Sequence, residues 1–277
     1  MKELSLAQIR QVEYELLQYF SAFCRENQIR FFLSNGTLLG AVKYQGFIPW
    51  DDDIDVLVPR PDYDRLIAIF QDRGPFRLFS HERDPKFRFP FAKLCDMRTV
   101  KIEANVDNGV QLGVDMDIFP LDAWAEDRKK ADREACCMER LVFLLELSKM
   151  QKAASVNPVK KCLKSGAMRI CRRIGSEHYV RKIQKATGQK CGKTYLGCKV
   201  WPIYGKKEII PAQVFASMVE VDFQGGKFPA PVGYDVYLRC LYGDYQQDPP
   251  LEKQKTHHHF TAFESSIFQE RMIEKKI

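Results

Sequence analysis

The sequence predicts a mixed α/β fold, in which one sheet of parallel and antiparallel strands is flanked by helices. Two segments, 53–58 and 113–122, alternate acidic with apolar residues, which is the period of a strand with one polar face. Two others, 4–28 and 61–70, repeat apolar residues at the spacing of a helix that packs by one side. With 277 residues the chain can bury one good core and a smaller second lobe.

The boundaries of the first elements are set by residues that favour helix ends. Ser5 is the expected N-cap of the first helix, and residues 30–33 form the first predicted strand. Pro61 with acids in the following turn predicts the start of the second helix, which Gly74 and Pro75 end. Further elements are expected as strands at 76–79 and 89–94, a helix at 127–152, strand and loop at 195–228, and a helix from Tyr234 to Tyr242.

The first acidic strand is the strongest candidate for a metal site. Four carboxylates, those of Asp51, Asp52, Asp53 and Asp55, occupy five positions before an apolar β-branched run. In a strand, Asp53 and Asp55 share a face, roughly 6.6 Å apart along the chain. Two such charges repel each other, and a divalent cation between them removes that penalty. Oxygen ligands of this kind suit Mg²⁺ or Mn²⁺ better than zinc.

A phosphate-binding helix start is predicted upstream of that strand. Ser34-Asn35-Gly36-Thr37 follows the apolar run 29–33 and opens a short helical pattern at Leu38–Val42. Gly36 permits close approach of the backbone, and free N–H groups at a helix start bind phosphate. Because Gly36 precedes Asp53 by 17 residues, the two features together suggest phosphoryl transfer.

Two other interpretations of the acidic stretch are weaker. An EF-hand loop beginning at Asp51 would need glycine at its sixth position and glutamate at its twelfth, where the chain has Val56 and Asp62. A solvated acidic turn before an edge strand is the structural alternative, and the phosphate loop upstream argues against it. The second acidic strand adds Asp115 and Asp117 on one face, and their spacing does not choose between them.

Positive charge is concentrated in one segment. The net charge is +7, yet residues 149–193 hold 13 Lys and Arg and a single acid, a net of +12. Asn157 and Pro158 predict the start of a helix there, and Gly175 its end. Its apolar stripe comprises Val159, Cys162, Leu163, Ala167, Ile170, Cys171 and Ile174, and its basic residues are Lys160, Lys161, Lys164, Arg169, Arg172 and Arg173.

This segment, 157–175, has two interpretations. It is either a solvated helix packed on the domain or an interfacial helix that meets anionic lipid or a polyanionic glycan. Nucleic-acid binding is disfavoured because no aromatic residue interrupts the basic face.

Compartment is inferred from what the sequence does not contain. The N-terminal residues lack the apolar core of a signal peptide, and the longest aliphatic–aromatic run, 141–145, is too short to span a bilayer. Nine cysteines, without a Cys-x-x-Cys pair, indicate reduced and mostly buried thiols. Cys191 and Cys198 have no second pair to complete a zinc site. A cytoplasmic protein, at most attached to the inner face of the cell membrane, is therefore expected.

At its central segments the chain resembles the LicD family. That family has a Gly-Thr-Leu-(Leu/Ile)-Gly-Ala-(Val/Ile)-(Arg/Lys) segment, here 36–43, and Gly-Phe-Ile-Pro-Trp-Asp-Asp-Asp-Ile-Asp, here 46–55. A third motif, Asp-Ile-Phe-Pro-Leu-Asp, stands at 117–122, and the terminal motif begins at Tyr242. The resemblance implies the mixed sheet of the DNA polymerase beta-like nucleotidyltransferase superfamily, with a catalytic core at 1–125, a helical basic insert at 126–190 and a C-terminal lobe at 191–277.

The resemblance also implies roles for single residues. Asp53, Asp55 and Asp117 would hold Mg²⁺ or Mn²⁺, and Lys93 would neutralise charge on the phosphoryl oxygens. Gln254 stands where the family often has arginine, so Lys253 or Lys255 is the expected substitute. Residues implied to bind substrate or nucleotide, or to support those that do, are Ser34, Gly36, Thr37, Gly40, Lys43, Trp50, Asp122 and His258.

The implied activity is transfer of a phospho-alcohol, typically phosphocholine, from a CDP-alcohol to a sugar hydroxyl. The acceptor would be a sugar or lipid-linked glycan, the precursor of a cell-surface polymer such as teichoic acid or lipopolysaccharide. Two rivals belong to other classes. A GT-A-like glycosyltransferase also uses an Asp-x-Asp metal site but does not need Gly36 and Thr37 upstream, and a catalytically dead binding module would not need three intact carboxylates.

Overall fold

The computed structural model describes residues 2–153, 157–187, 194–256 and 260–265. The helices are α1 Leu6–Glu26, α2 Asn35–Tyr44, α3 Arg60–Ile69, α4 Arg128–Lys149, α5 Pro158–Ile174, α6 Ser176–Thr187 and α7 Tyr234–Tyr242. The strands are β1 Phe32–Leu33, β2 Asp55–Pro59, β3 Phe76–Phe79, β4 Ala92–Glu103, β5 Leu112–Ala123, β6 Tyr195–Gly197, β7 Ile210–Pro211, β8 Met218–Phe223, β9 Gly226–Pro231 and β10 Phe260–Glu264.

A mixed sheet in the order β1-β2-β5-β4-β10 forms the centre of the molecule. Strands β2 and β5 are parallel, whereas the pairs β1–β2, β4–β5 and β4–β10 are antiparallel. Strand β3 pairs with the first half of β4, β6 pairs antiparallel with the end of β5, and β8 and β9 form a separate hairpin. The predicted α/β class with a mixed sheet and flanking helices is confirmed.

Helix α1 shows how local sequence and packing agree. Ser5 Oγ accepts a hydrogen bond from the N–H of Gln8, and the Gln8 side chain accepts from the N–H of Ser5, which makes a capping box. The inner face of α1 buries Leu16, Leu17 and Phe20 completely. Each such side chain contributes roughly 1.5–3 kcal/mol of transfer free energy, so packing on the sheet stabilises this helix far more than its cap.

Several elements differ from the prediction. Strand β2 begins at Asp55 rather than Asp53, and in the loop before it the guanidinium of Arg10 donates to the carbonyls of Ile48 and Asp51 at 3.0 and 2.7 Å. Strand β4 starts at Ala92 and is longer than expected, since β10 pairs with its second half. Helix α6 was not predicted, because Gly175, with a φ of 93°, separates it from α5 by a single residue.

The basic helices lie on α4 at one side of the molecule. Helix α5 contacts α4 and α6, and α6 contacts α4. No helix within the described ranges is both long and apolar enough to cross a membrane.

Candidate active site

The two acidic strands are neighbours in the interior of the sheet and pair in register. The parallel pairing of β2 and β5 sets Asp55 beside Asp117. The antiparallel pairing of β4 and β5 then sets Lys93 beside Asp117 and Cys95 beside Asp115. Residues that are 62 and 24 positions from Asp117 in sequence are thereby brought to its two sides.

The start of α2 fixes Asp55. The N–H of Ser34 donates to the carbonyl of Asp55 at 3.0 Å, and the N–H of Asp55 donates to Thr37 Oγ1 at 2.8 Å. Asn35 Nδ2 donates to Asp55 Oδ2 at 3.1 Å, while Asn35 Oδ1 accepts from the hydroxyl of Tyr237 at 3.0 Å. Asn35 has a φ of 45°, a left-handed conformation that asparagine tolerates better than most residues. The carboxylate of Asp55 is therefore held from both its main chain and its side chain.

Asp115 and Asp117 have different surroundings. The side chain of Asp115 is 2% exposed and accepts from Lys93 Nζ at 2.8 Å and from Lys101 Nζ at 3.1 Å. Burial would raise its pKa, but Lys101 and Lys93 lower the pKa of Asp115 to about 2. Asp117 is 22% exposed and bonds to Lys93 alone of these two lysines. Asp115 thus holds two buried ammonium groups in place, and Asp117 faces the open side.

Excess negative charge surrounds Asp55. Burial raises its pKa well above the usual range, and repulsion from Asp53 and Asp117 adds to the effect. Burial likewise raises the pKa of Asp117, although Lys93 opposes it. Lys93 remains charged, because Asp115 and Asp117 raise its pKa well above the ordinary value against the opposing effect of burial. A divalent cation would relieve this repulsion.

Two cavities meet at these carboxylates. The large cavity, about 900 Å³, is lined by the start of α2, by Lys43, Trp50, Tyr204 and Tyr242, and by the 244–255 segment. The small cavity, about 340 Å³, is lined by Lys93, Lys101, Lys149 and several aromatic rings. Asp53 borders both cavities, Asp55 the large one and Asp117 the small one. These three residues are called the carboxylate junction.

The two glycines of the predicted phosphate loop have separate constraints. A Cβ atom at Gly36 would fall against Asp51 Oδ2, so glycine lets the Asp51 carboxylate lie against the start of α2, at the wall of the large cavity. At Gly40 a Cβ would meet the carbonyl of Gly46 and lie 3.1 Å from the N–H nitrogen of Ile48. Gly40 therefore allows α2 to touch the loop that leads into the acidic stretch.

The other predicted residues are distributed around the site. Lys43 and Trp50 line the large cavity, and Lys43 Nζ binds Asp248 Oδ1 at 2.5 Å. Asp122 forms a two-pronged ion pair with Arg60, both contacts at 2.7 Å, away from either cavity lining. Ser34 Oγ is buried, with no hydrogen-bond partner in the part of the chain that is described. Lys253 and Lys255 line the large cavity, and His258 lies outside the described residues.

The donor set suits a hard divalent cation, although the carboxylates are not yet arranged around one. Across 2–153, 157–187, 194–256 and 260–265, no three His, Cys, Asp or Glu side chains stand close enough to hold a metal ion. Asp117 is held by Lys93 and Asp55 by Asn35. Carboxylate oxygens with excess negative charge fit Mg²⁺ or Mn²⁺, which would compete with Lys93 for Asp117. The metal assignment stays a prediction.

Several residues at the site could not be found by motif. Asn35, Tyr237 and Lys101 act through partners on other elements, and Tyr237 lies 202 residues from Asn35 in the sequence. Glu13 on α1 is 2% exposed, its Oε2 has no hydrogen-bond partner among the described residues, and burial with repulsion from Asp53 raises its pKa well above the usual range. A glutamate among the apolar residues of α1's inner face was the available signal for it.

Comparison with known proteins identifies the family of the chain. The family described as LicD/FKTN/FKRP, nucleotidyltransferase domain, matches residues 28–143, from before β1 to within α4. Lipopolysaccharide cholinephosphotransferase LicD from Haemophilus influenzae is 31% identical over 274 residues, covering 93% of this chain and 97% of that protein. Uncharacterized proteins from Rickettsia typhi and Rickettsia prowazekii are 37% and 43% identical over segments covering 26% and 22% of this chain.

The chain is a phosphotransferase of the α/β type: its relative is a cholinephosphotransferase, and its mixed sheet places aspartates of two adjacent strands next to a helix start and a buried lysine. The chain belongs to the LicD family, as its central motifs predicted.

Proposed function

We propose that the protein transfers phosphocholine, or a related phospho-alcohol, from a CDP-alcohol to a sugar hydroxyl of a lipid-linked glycan. The relative in Haemophilus influenzae, a lipopolysaccharide cholinephosphotransferase, makes a lipopolysaccharide precursor the first acceptor to consider. The observation that carries the proposal is the position of the carboxylate junction between two cavities. In a CDP-alcohol the nucleotide and the alcohol extend in different directions from the diphosphate, so a reacting centre between two cavities can hold both parts of the donor.

The large cavity is the proposed nucleotide site. Its volume, about 900 Å³, suits a cytidine diphosphate, and Trp50 and Tyr204 offer aromatic surfaces to a base. Asn35 and Gly36, at the start of α2, line the wall nearest Asp55, so the diphosphate would lie against the helix N-terminus. Lys43, Lys253 and Lys255, which line the same cavity, would counter its charge.

Asp53, Asp55 and Asp117 would hold one or two Mg²⁺ or Mn²⁺ ions. Bound there, the metal would neutralise charge on the diphosphate and lower the pKa of the attacking hydroxyl. Asn35 and Thr37 orient Asp55 for that role. Lys93, charged and anchored by Asp115, would stabilise the negative charge that develops on the transferred phosphoryl group.

A panel of donors tests the proposal directly. The protein is incubated with Mg²⁺, an acceptor glycolipid, and CDP-choline, CDP-ethanolamine, CDP-glycerol or CDP-ribitol, and release of CMP is followed by phosphorus NMR. We expect CMP from at least one of these donors, and none with the Asp55→Asn variant. Sugar transfer from a nucleotide-sugar, with no CMP from any CDP-alcohol, would instead establish a glycosyltransferase.

We propose further that α5 docks the enzyme on an anionic membrane surface, where a lipid-linked acceptor lies. At ~100° per residue, the stripe of Val159, Leu163, Ile170 and Ile174 occupies about 60° of the helix circumference. These side chains are 66, 70, 64 and 48% exposed, while Met168 and Cys171 are the buried residues of the same helix. The predicted stripe is thus two faces, of which one packs on the protein and the other faces solvent.

Basic residues border the solvent-facing side, hereafter the outer face of α5. Lys160, Arg169 and Arg173 are exposed there. Apolar side chains flanked by lysine and arginine match the interface of a bilayer that contains anionic lipid. A polyanionic glycan would use the charges but not the apolar stripe, so we favour the membrane.

A further inference from the structure

The small cavity is walled by aromatic rings. Phe89, Phe91 and Trp201 form a corner, with ring centroids 5.3 Å apart for Phe89–Phe91, 5.3 Å for Phe91–Trp201 and 6.0 Å for Phe89–Trp201. Phe260 stands on another wall of the same cavity. Because these rings line open space beside the proposed phosphoryl-transfer centre, they can contact a ligand as well as pack in the core.

Each of these rings faces an ammonium group of the chain itself. Lys149 Nζ lies 3.4 Å from the centroid of Phe89 and 5.8 Å from that of Trp201. Lys93 Nζ lies 5.0 and 5.6 Å from Phe89 and Phe91, and Lys101 Nζ lies 4.3 Å from Phe260. Distances within about 6 Å are those at which a cation is attracted to the face of a ring. The cavity walls therefore already bind ammonium groups.

The charge of the cavity also favours a cation. Its lining contains the carboxylates Asp53, Asp115, Asp117, Glu103 and Glu146 against the ammonium groups of Lys93, Lys101 and Lys149, a formal excess of two negative charges. Glu146 bonds to Lys149 at 3.0 Å, and Glu103 lies 3.7 Å from Lys101. Aromatic faces with a carboxylate nearby are the usual means of recognising a quaternary ammonium.

Lys149 is the ammonium group best suited to move aside. Its side chain is 1% exposed at the C-terminal end of α4, and burial lowers its pKa despite Glu146. Lys93 and Lys101 are instead both bonded to Asp115. The four-carbon stem of a lysine allows its head to swing away while a ligand occupies the aromatic corner.

We propose that the corner of Phe89, Phe91 and Trp201, together with Glu146, is the subsite for a quaternary ammonium head group on the transferred alcohol, and that the ammonium of Lys149 marks its position. The inference rests on the proposed function. A head group in this corner lies in the cavity that also reaches Asp53 and Asp117, so its phosphate would stand at the carboxylate junction while the nucleotide fills the large cavity. The subsite would make the enzyme selective for choline over neutral alcohols.

A neutral isostere separates charge recognition from shape. CDP-choline is compared with the CDP ester of 3,3-dimethylbutanol, in which carbon replaces the quaternary nitrogen. We expect kcat/KM to favour CDP-choline by about thirtyfold in the unmodified protein, from cation–ring attraction in a desolvated site. Trp201→Leu should reduce that ratio to a few-fold. The matched control is Trp50→Leu in the large cavity, which should lower kcat/KM for both donors and leave the ratio unchanged. Equal kcat/KM for both donors in the unmodified protein would overturn the proposal.

The Lys149→Met variant tests whether the ammonium of Lys149 occupies the position of the ligand head group. Methionine keeps the length and apolar packing of the lysine stem. We expect phosphocholine to bind several-fold more tightly to this variant, measured by isothermal titration calorimetry, with no change for 3,3-dimethylbutyl phosphate. If Lys149 instead binds an anionic group, the variant will weaken both ligands alike, and the subsite assignment is wrong.

The two proposals fail in distinguishable ways. Calorimetry with phosphocholine needs no turnover, so selective binding without CMP release from any donor would keep the subsite and reject the transfer reaction. CMP release from CDP-choline and its isostere at equal rates would keep the reaction and reject the subsite.

Discussion

The carboxylate junction and the outer face of α5 use charge in opposite ways. Beside the junction, Lys93 is buried, the side chain of Lys101 is 12% exposed, and each bonds to Asp115, so their positions are fixed by neighbours. On α5, Arg169 and Arg173 face water beside exposed apolar side chains. A buried charge without its partner costs several kcal/mol, whereas an exposed charge costs little and is screened by salt. Charged side chains are thus buried at the proposed reacting centre and exposed at the proposed docking surface.

Removal of a junction carboxylate should have the largest effect on activity. Asp53→Asn and Asp55→Asn should each lower kcat by roughly a thousandfold or more, because each would take a ligand from the metal that activates the acceptor. The metal-free variants should melt at a higher temperature than the unmodified protein, since the pKa of Asp55 shows that its charge is opposed by Asp53 and Asp117.

Differential scanning calorimetry with and without Mg²⁺ gives a readout independent of turnover. Mg²⁺ should raise the melting temperature of the unmodified protein and not that of Asp55→Asn. Wild-type turnover by either variant at saturating Mg²⁺ would show that the metal assignment is wrong.

The two aspartates of β5 should separate activity from stability. Asp117→Asn should lose activity to a similar extent as Asp55→Asn with little change in stability, because Lys93 keeps Asp115 as a partner. Asp115→Asn should lose much less activity per folded molecule but unfold about 3 kcal/mol more easily, since two buried ammonium groups would share a neutral side chain.

Urea unfolding and kcat for each variant check this pair. Equal losses of activity with unchanged stability in both would mean that the register between β4 and β5 does not divide the roles as described.

The sequence predicted the two acidic strands and the residues of the carboxylate junction, but not the different surroundings of Asp115 and Asp117. Alternation shows that Asp115 and Asp117 share a face, yet their difference arises from Lys93 and Lys101 on β4, which only strand register brings near. Likewise, the helical period revealed apolar residues on α5 but could not show that Met168 is buried and Leu163 exposed. Which face is covered depends on where α4 and α6 lie, and no local pattern encodes that.

A third prediction concerns Glu208, a buried carboxylate that accepts a hydrogen bond from the main chain. Burial raises the pKa of Glu208 to about 8, although its Oε1 accepts a hydrogen bond from the N–H of Tyr204 at 3.0 Å. The folded state then binds a proton that the unfolded state releases near pH 4.5. Stability should therefore be greatest below pH 4.5 for this group and fall by a few kcal/mol as the pH rises to about 8.

Glu208→Gln should remove that part of the pH dependence, because the amide keeps an acceptor for Tyr204 and does not titrate. Urea unfolding of both proteins at pH 5.5 and pH 8.5 measures the difference. If the unfolding free energies of both proteins change in parallel between these values, Glu208 is charged in the folded state.

The smallest effect is expected at the outer face of α5. Each Lys or Arg near an anionic surface contributes about 1 kcal/mol, so three that reach it would give roughly 3 kcal/mol, or about a hundredfold in binding. Sedimentation with vesicles of phosphatidylglycerol and phosphatidylcholine should show binding at low salt that fades toward 1 M, as the Debye length falls from about 10 Å at 0.1 M to about 3 Å. Replacement of Lys160, Lys161, Lys164, Arg169 and Arg173 by Gln should abolish it, whereas Arg172 is left unchanged because it donates to the carbonyls of Met150 and Gln151.

A matched control separates this face from general charge. Replacement by Gln of five exposed basic residues elsewhere, Lys2, Arg30, Arg65, Arg77 and Lys227, makes the same change in net charge and should leave vesicle binding nearly intact. Leu163→Ser with Ile170→Ser should weaken binding by an amount that persists at high salt, because the apolar contribution is not screened. Equal losses from the two sets of five would reduce the effect to net charge, and no binding at low salt would leave α5 a solvated helix. Loss of vesicle binding by the α5 variant alone would support the proposal that the basic residues of α5, which lie outside the catalytic centre, bring the enzyme to its acceptor.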